Sequence, residues 1–247
     1  MLKTYSGLSH AYDGGLSAIP HYVLYPEMMA AVGAHYDEAP VRVLVLGESP
    51  YLASVEESNT PALWYQGRAL RHDTSSRNIN ARGIFNNVIL GKNPSKSKAI
   101  FHALANALAD CGMAMPGACS ALQSIAYMNY FQRPAERPGK SILACARDGE
   151  EADRVVTAVV GILKPDLVVF ATRLGWRYAL RGLVHQLNEA GIATASVPHP
   201  ATSWWNRTSV PMNNMTGRAY FIQAIAVARS SLDPNKGTAA RTEGISC

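Results

Sequence analysis

Two short polar segments of the chain carry residue types that enzymes use for catalysis. Residues 47–51 read Gly-Glu-Ser-Pro-Tyr, and residues 199–203 read His-Pro-Ala-Thr-Ser. Each follows an apolar run that predicts a buried strand, as does Asn129 farther along the chain. Ligands of open parallel sheets bind at the carboxyl ends of the strands. The three strand ends therefore indicate one cleft.

The side chains at these strand ends suit the cleavage of a polar bond. A hydrogen-bond donor stabilises a leaving group that takes up negative charge, and His199 is the candidate. A carboxylate can orient an attacking water or balance a developing positive charge; Glu48 is preferred and Asp73 is the alternative. The Asn129 amide offers a donor and an acceptor together, and Phe85, between the two motifs, offers an aromatic face.

These segments resemble motifs of the uracil-DNA glycosylase superfamily. Residues 47–51 are similar to its Gly-Gln-Asp-Pro-Tyr, Gly-Ile-Asn-Pro-Gly and Gly-Glu-Ala-Pro-Gly loops, and residues 199–203 to its His-Pro-Ser-Pro motif. Residues 83–87, Gly-Ile-Phe-Asn-Asn, are similar to the segment that supplies the stacking aromatic. Residues 164–169 match the approach to the third strand, and the resemblance extends over residues 41–220.

The resemblance implies a role for each matched residue. His199 would act as a neutral imidazole on the pyrimidine O2, with Glu48 and Ser49 as the other catalytic positions. The implied base-binding residues are Gly47, Pro50, Tyr51, Phe85 and Asn129. A loop that enters the minor groove would contain Ser203, Trp204, Trp205 and Arg207. For either tryptophan, core packing is the alternative, and for Glu48 a helix cap or a buried ion pair.

A basic segment lies between the two motifs. Residues 65–100 contain seven Lys and Arg side chains and one acidic residue, Asp73, whereas the whole chain has a net charge of only +5. Phosphate contact, with Arg77 and Arg82 as candidates, is the preferred interpretation, and a solvated surface loop is the alternative.

Position 49 departs from the family pattern. Ser49 stands where two branches of the family have the Asp or Asn that positions the attacking water, and a serine cannot act as a carboxylate base. Tyr51 matches a residue that crowds C5 of the base and favours a base unsubstituted there. The resemblance thus predicts a monofunctional glycosylase for uracil or a modified pyrimidine, in base-excision repair or in defence against phage with modified DNA.

Two other functions remain in competition. The first is a catalytically inactive DNA-binding protein of the same fold, which Ser49 favours. The second is a different α/β hydrolase or nucleotide-binding enzyme, which ranks last because the sequence has no Gly-x-Ser-x-Gly elbow, dinucleotide fingerprint or Walker loop.

The elements that must position these residues alternate along the chain. Hydrophobic periodicity predicts strands at residues 41–46, 125–130, 167–171 and 192–197. It predicts helices from Pro26 through Val32 and at residues 97–111, 148–163, 176–189 and 216–228. The expected fold is a three-layer α/β/α sandwich around a four-stranded, mainly parallel sheet. Residues 1–230 would form one domain and residues 231–247 a disordered tail.

Composition limits the remaining classes. The 247 residues are 48% hydrophobic, which supports a packed core, and the four cysteines form no Cys-x-x-Cys pair. We therefore expect no metal, no iron–sulfur cluster and no other cofactor. The sequence contains no signal-peptide pattern and no long apolar run, so we expect a cytoplasmic monomer whose partner is DNA, with no membrane and no protein partner.

Overall fold

A five-stranded, mainly parallel sheet forms the centre of an α/β fold. The computed structural model describes residues 3–51, 60–68, 78–92, 99–137 and 140–232. The strands are β1 Ala31–Val32, β2 Val43–Gly47, β3 Ile125–Asn129, β4 Leu167–Phe170 and β5 Ala193–Ser196. Their order in the sheet is β1-β3-β2-β4-β5. The short edge strand β1 runs antiparallel to β3, and the other neighbours pair in parallel.

Helices cover both faces of this sheet. Those with described bounds are α1 Asp13–Ser17, α2 Pro20–Leu24, α3 Pro61–Trp64, α4 Ala81–Ile89, α5 Ala99–Asp110, α6 Ala146–Leu163, α7 Arg173–Ala179, α8 Leu183–Glu189 and α9 Gly217–Leu232. Two further strands, β6 Thr208–Ser209 and β7 Met215–Thr216, form a small antiparallel pair before α9.

Alternation along β2 divides the core into two clusters. Leu44 and Leu46 pack with residues of α1, α2, α6, α7 and α8 on one face of the sheet. Val43 and Val45 pack with α4, α5 and α9 on the other face. Successive side chains of a strand point to opposite faces, so a strand that is apolar at every position is buried on both. The helices therefore form the outer layers of a three-layer arrangement.

The sequence predicts a four-stranded sheet, but the sheet has a fifth strand, β1. Residues 30–32 form a buried apolar run whose backbone pairs with β3, Ala31 opposite Tyr127 and Val32 opposite Ala126. The helix predicted from Pro26 is therefore a single 3-10 turn, Pro26–Met28. A two-residue strand has no detectable period, and its hydrogen bonds come from a strand more than ninety residues away.

The helix predicted for residues 176–189 is two helices, α7 and α8. Helix α7 begins earlier, at Arg173, and ends at Ala179; α8 begins after Gly182, whose extended φ of −174° interrupts the helical backbone. The other predicted helices and strands are present with ends shifted by a few residues. The expected tail lies mostly outside the described residues, as do Asp73 and Arg77. No helix in the described ranges is long and apolar enough to span a bilayer.

Candidate functional site

The order of the parallel strands creates a crevice at the carboxyl ends of β2 and β4. From β2 the chain first adds β3 on one side and then crosses to add β4 on the other. Loops that leave two adjacent strands in opposite directions open such a crevice, and ligands of α/β sheets bind there. Glu48 follows β2 and Thr172 follows β4, and the Thr172 hydroxyl donates a hydrogen bond to Glu48 Oε2 at 3.1 Å. This bond crosses the crevice.

A cavity of about 740 Å³ opens at this crevice. Four residues of the sequence motifs line it together: Glu48 and Tyr51 after β2, and His199 and Thr202 after β5. Its volume falls within the roughly 300–1,000 Å³ of small-molecule sites. Residues from three strand ends thus meet around one space.

The backbone around His199 determines which ring nitrogen holds the proton. The Thr202 amide and hydroxyl both donate to the His199 carbonyl, at 2.9 and 2.8 Å, and close a tight turn. In this turn the Ala201 N–H donates to His199 Nδ1 at 3.2 Å. A nitrogen that accepts a hydrogen bond has no proton, so the neutral ring has its proton on Nε2.

Partial burial favours the uncharged form of the His199 ring. It lowers the pKa of His199 below the ordinary value of 6.5, because removal from water disfavours the charged form. The Glu48 carboxylate, which lines the same cavity, opposes this shift. Burial and the same carboxylate raise the pKa of Tyr51. The site therefore combines a neutral imidazole, with Nε2–H as its donor, and a carboxylate.

The segment after β2 is held against the segment after β3 by backbone hydrogen bonds. Tyr130 N–H donates to the Gly47 carbonyl, Phe131 N–H to that of Glu48, and Ala135 N–H to that of Pro50, each at 2.9 Å. Pro50 is buried in this arrangement and serves the loop itself. Ser49 is only 7% exposed, and among the described residues its hydroxyl has no hydrogen-bond partner. Glu48 and Tyr51 are thus the side chains of this loop that line the cavity.

Asn129 lies beside the loop and not on the cavity lining. It pairs with Gly47 across β2 and β3, and its Oδ1 accepts a hydrogen bond from the Tyr127 hydroxyl at 3.1 Å. Because β3 lies on the opposite side of β2 from β4, Asn129 is separated from the crevice by the Gly47 strand end. The expectation that all three strand ends share one cleft therefore holds for Glu48 and His199 and is wrong for Asn129, which is not on the cavity lining.

Phe85 is a core residue, which corrects its expected place in an open base pocket. Its side chain is 0% exposed, and its ring stacks on Tyr127 with centroids 5.8 Å apart and planes inclined by 10°. Phe101 covers another side of the ring at 5.4 Å. No base can reach this ring without movement of the packed core, since interiors are close-packed. The aromatic side chains on the cavity are instead Tyr51, Trp176, Trp204 and Tyr220.

The two adjacent tryptophans have opposite environments. Trp204 is 54% exposed and lines the cavity, whereas Trp205 is 2% exposed and packs on Phe221 of α9. Trp205 is thus part of the core and not a DNA contact, because the start of α9 packs on the loop that contains it. Ser203 and Arg207 are exposed on the same loop. Ser203 lines a second cavity, of about 570 Å³, on the other side of this loop.

Arg82 is also a structural residue, contrary to its expected contact with phosphate. It is 3% exposed, its Nη2 pairs with Asp13 Oδ1 at 2.8 Å, and its guanidinium lies over the Tyr5 ring. This buried pair joins α4 to the N-terminal segment. Arg77, the other candidate, lies outside the described residues.

Residues of the cavity that sequence reasoning missed follow β4. Thr172 orients Glu48, and Arg173, Trp176 and Arg177 of α7 line the cavity with Lys140. Polar residues at the carboxyl ends of the other three parallel strands were predicted to line a cleft. The same reasoning applied to β4 would have predicted Thr172 and Arg173. No sequence pattern points to Lys140, because it lies in a loop and not at the end of a strand.

No group of three or more His, Cys, Asp or Glu side chains arranged to hold a metal ion occurs in the described ranges. Comparison of the chain with protein-family models, with curated proteins and with solved structures found no significant match.

Proposed function

We propose that this protein is a DNA glycosylase that takes a flipped pyrimidine into the His199 cavity and hydrolyses its N-glycosidic bond. The observation that carries the proposal is the pairing of a neutral His199, whose Nδ1 is occupied by the Ala201 N–H, with Glu48 at the switch point of a parallel sheet. The resemblance of residues 47–51 and 199–203 to glycosylase motifs supports the same reaction.

The proposed chemistry assigns one side chain to each developing charge. As the C1′–N bond breaks, its electron pair leaves with the base, and the Nε2–H of His199 donates a hydrogen bond to the base oxygen that takes up the charge. Water attacks C1′ and gives one proton to the Glu48 carboxylate, which the Thr172 hydroxyl holds in place. The proton then passes from Glu48 through solvent to the base anion, so the products are the neutral base and an abasic sugar, and the carboxylate is restored. A preorganised donor that is partly removed from water is more effective here than one in bulk water.

Two classes of base are compatible with the residues of the site. Tyr51 lines the cavity, and a phenol ring beside C5 would favour an unsubstituted base such as uracil. The Ser49 hydroxyl is buried and gives no carboxylate at the position that holds water in uracil enzymes, which favours a modified pyrimidine. A uracil substrate would indicate a role in DNA repair. A modified pyrimidine would indicate a role in defence against phage with modified DNA.

The first experiment identifies the base and tests the site together. The protein is incubated with oligonucleotides that contain uracil, thymine mismatches or modified cytosines, and alkali then cleaves any abasic site. We expect cleavage of one substrate class, and His199→Ala should lower the rate by about 100- to 1000-fold, as loss of a preorganised donor does in other enzymes. Glu48→Gln should lower it similarly.

The matched control is His185→Ala on α8. His185 is exposed and pairs with Glu189, so its loss removes a histidine without touching the cavity. Full activity of both His199→Ala and Glu48→Gln would refute the assignment of the site.

A catalytically inactive DNA-binding protein is the second candidate, and Ser49 is the observation that favours it. A family member without the water-positioning carboxylate can retain the fold and the binding of DNA. If every oligonucleotide stays intact under alkali while DNA binding persists, this second function is the correct one.

A further inference from the structure

The cavity has a positively charged wall that the proposed reaction does not use. Lys140, Arg173 and Arg177 line it, and Glu48 is the one acidic residue among its described lining. Within the described ranges none of the three cations pairs with an acidic side chain, whereas Arg42, Arg133 and Arg154 all do. Unpaired cations that converge on a cavity create a local positive field and attract an anionic ligand.

Helical spacing places two of these cations around an aromatic ring. Arg173 and Arg177 are four residues apart on α7, so their Cβ atoms lie about 6 Å apart on one face, and Trp176 lies on that face as well. The Trp176 ring is fixed edge to face against Phe170, with centroids 5.2 Å apart. Charged and aromatic side chains therefore alternate along one wall.

Trp204 supplies a second aromatic ring, which is more exposed than the half-buried ring of Trp176. It is 54% exposed, its neighbour Trp205 anchors the loop in the core, and it lines the same cavity as Trp176. An exposed tryptophan contributes its ring faces to stacking, but a base in a duplex has both of its faces covered by neighbouring bases. Only an unpaired base can offer a face to Trp204 and Trp176.

We infer that this wall binds single-stranded DNA, with phosphates on Lys140, Arg173 and Arg177 and unpaired bases stacked on Trp176 and Trp204. Cations that follow the backbone and aromatic rings that stack bases form the usual combination of single-strand binding sites. The inference rests on the proposed function in one respect, since it takes the His199 cavity as the place that the target base enters. It adds a substrate class: unpaired strands in preference to duplexes.

The test measures binding alone, so that it does not depend on activity. A fluorescently labelled single-stranded oligonucleotide without any excisable base is titrated with protein and followed by anisotropy over a range of salt concentrations. Duplex DNA and RNA of the same sequence are used as competitors. We expect the single strand to bind at least about tenfold more tightly than the duplex, since stacking on exposed rings adds to the phosphate contacts.

Three variants assign the interaction to the wall. Replacing Arg173 and Arg177 together by Gln should weaken binding about tenfold and make the salt dependence shallower, by about 0.7 in logarithmic slope for each lost phosphate contact. Trp204→Ala should also weaken single-strand binding about tenfold, with no change for duplex DNA. Arg154→Gln on α6 is the control, because it removes a surface charge away from the cavity and should leave binding unchanged.

Several outcomes would overturn the inference. They are duplex binding as tight as single-strand binding, tighter binding of RNA, or an unchanged salt slope in the double arginine variant. If no base is excised from any substrate but single-strand binding depends on these residues, the inference stands and the proposed activity fails. If excision occurs and the variants bind like the parent protein, the activity stands and the inference fails.

Discussion

The absence of a side chain at Gly47 allows two polar groups to meet beside the cavity. A Cβ atom at this position would lie 2.2 Å from the Tyr127 hydroxyl and 2.8 Å from Asn129 Oδ1. Tyr127 cannot turn away freely, because it is buried and its ring stacks on Phe85. Glycine is therefore required here by close approach, and the Tyr127 hydroxyl can hold the Asn129 amide in one orientation.

Gly47→Ala should destabilise the protein by about 1–3 kcal/mol, the usual cost of forcing a methyl group into a packed region. It should also lower excision activity, since the end of β2 must shift together with Glu48. The free energy of unfolding in urea measures the first effect. Adding Tyr127→Phe removes the atom nearest to the new methyl group, so the double variant should recover part of the stability.

Gly14→Ala is the matched control for this prediction. Gly14 lies in α1, and a Cβ atom there would meet nothing within 4 Å. This exchange should leave stability unchanged or raise it slightly, because alanine favours the helix. Equal stability of Gly47→Ala and the parent protein would contradict the role given to Gly47.

At the scale of elements, the start of α7 joins the Glu48 carboxylate to the positively charged wall. The Thr172 hydroxyl accepts a hydrogen bond from the Gly175 N–H at 3.1 Å, as a helix N-cap, and donates its own proton to Glu48. The same oxygen thus begins the helix that contains Arg173 and Arg177 and positions Glu48 across the crevice. In the proposed reaction Thr172 is a positioning residue, since it acts through Glu48.

Thr172→Val should remove both hydrogen bonds while it preserves the shape of the side chain. We expect a loss of about 1 kcal/mol in the free energy of unfolding, the typical value of an N-cap. We also expect a lower kcat, because Glu48 loses the donor that orients it. Urea denaturation and excision kinetics measure the two effects.

Thr172→Ser keeps the hydroxyl and should restore both properties. If the Val and Ser variants have the same kcat, the hydroxyl does not position Glu48. A purely structural role would lower stability without this difference in kcat.

At the scale of the whole molecule, the stability of the fold depends on a buried histidine in the layer that contains α2. His21 is 5% exposed and packs against the rings of Tyr22, Tyr25 and Tyr65. Burial lowers the pKa of His21 to about 4, because the apolar surroundings disfavour the charged ring. The folded protein therefore keeps this ring neutral at pH values where the unfolded chain protonates it.

This difference predicts how stability varies with pH. The unfolded chain binds a proton at His21 near pH 6.5, whereas the folded protein binds it only near pH 4. The contribution of His21 to stability is complete above pH 6.5 and is lost as the pH falls through this range. Between pH 7 and pH 4.5 we expect a loss of about 2 kcal/mol from this residue, at 1.36 kcal/mol per pKa unit.

The measurement compares urea denaturation of the parent protein and of His21→Leu at both pH values. The variant should lose about 2 kcal/mol less than the parent protein, because its apolar side chain does not titrate. His185→Ala removes an exposed histidine and should follow the parent protein. Equal pH dependence of His21→Leu and the parent protein would contradict the prediction.

The sequence by itself determined the parallel strands, most of the helices and the two segments that meet at the cavity. Runs such as residues 43–46 are apolar at every position, and this local property is sufficient to predict a strand buried on both faces. The positions of Glu48 and His199 then followed, because a loop after a parallel strand must emerge at the carboxyl edge of the sheet.

Only the tertiary structure decided which residues of the same type are exposed and which are buried. Trp204 and Trp205 are chemically identical neighbours, and packing on Phe221 of α9 makes the second a core residue. Arg82 and Arg173 are both cations near a motif. Arg82 is buried and pairs with Asp13 from a distant segment, whereas Arg173 lines the cavity and pairs with no acidic side chain in the described ranges. Burial and pairing depend on groups far apart in the chain, whereas strand and helix periods depend on neighbours. The hydrophobic periodicity of a sequence therefore predicts its strands and helices. Only the packing of those strands and helices determines which side chains reach the site.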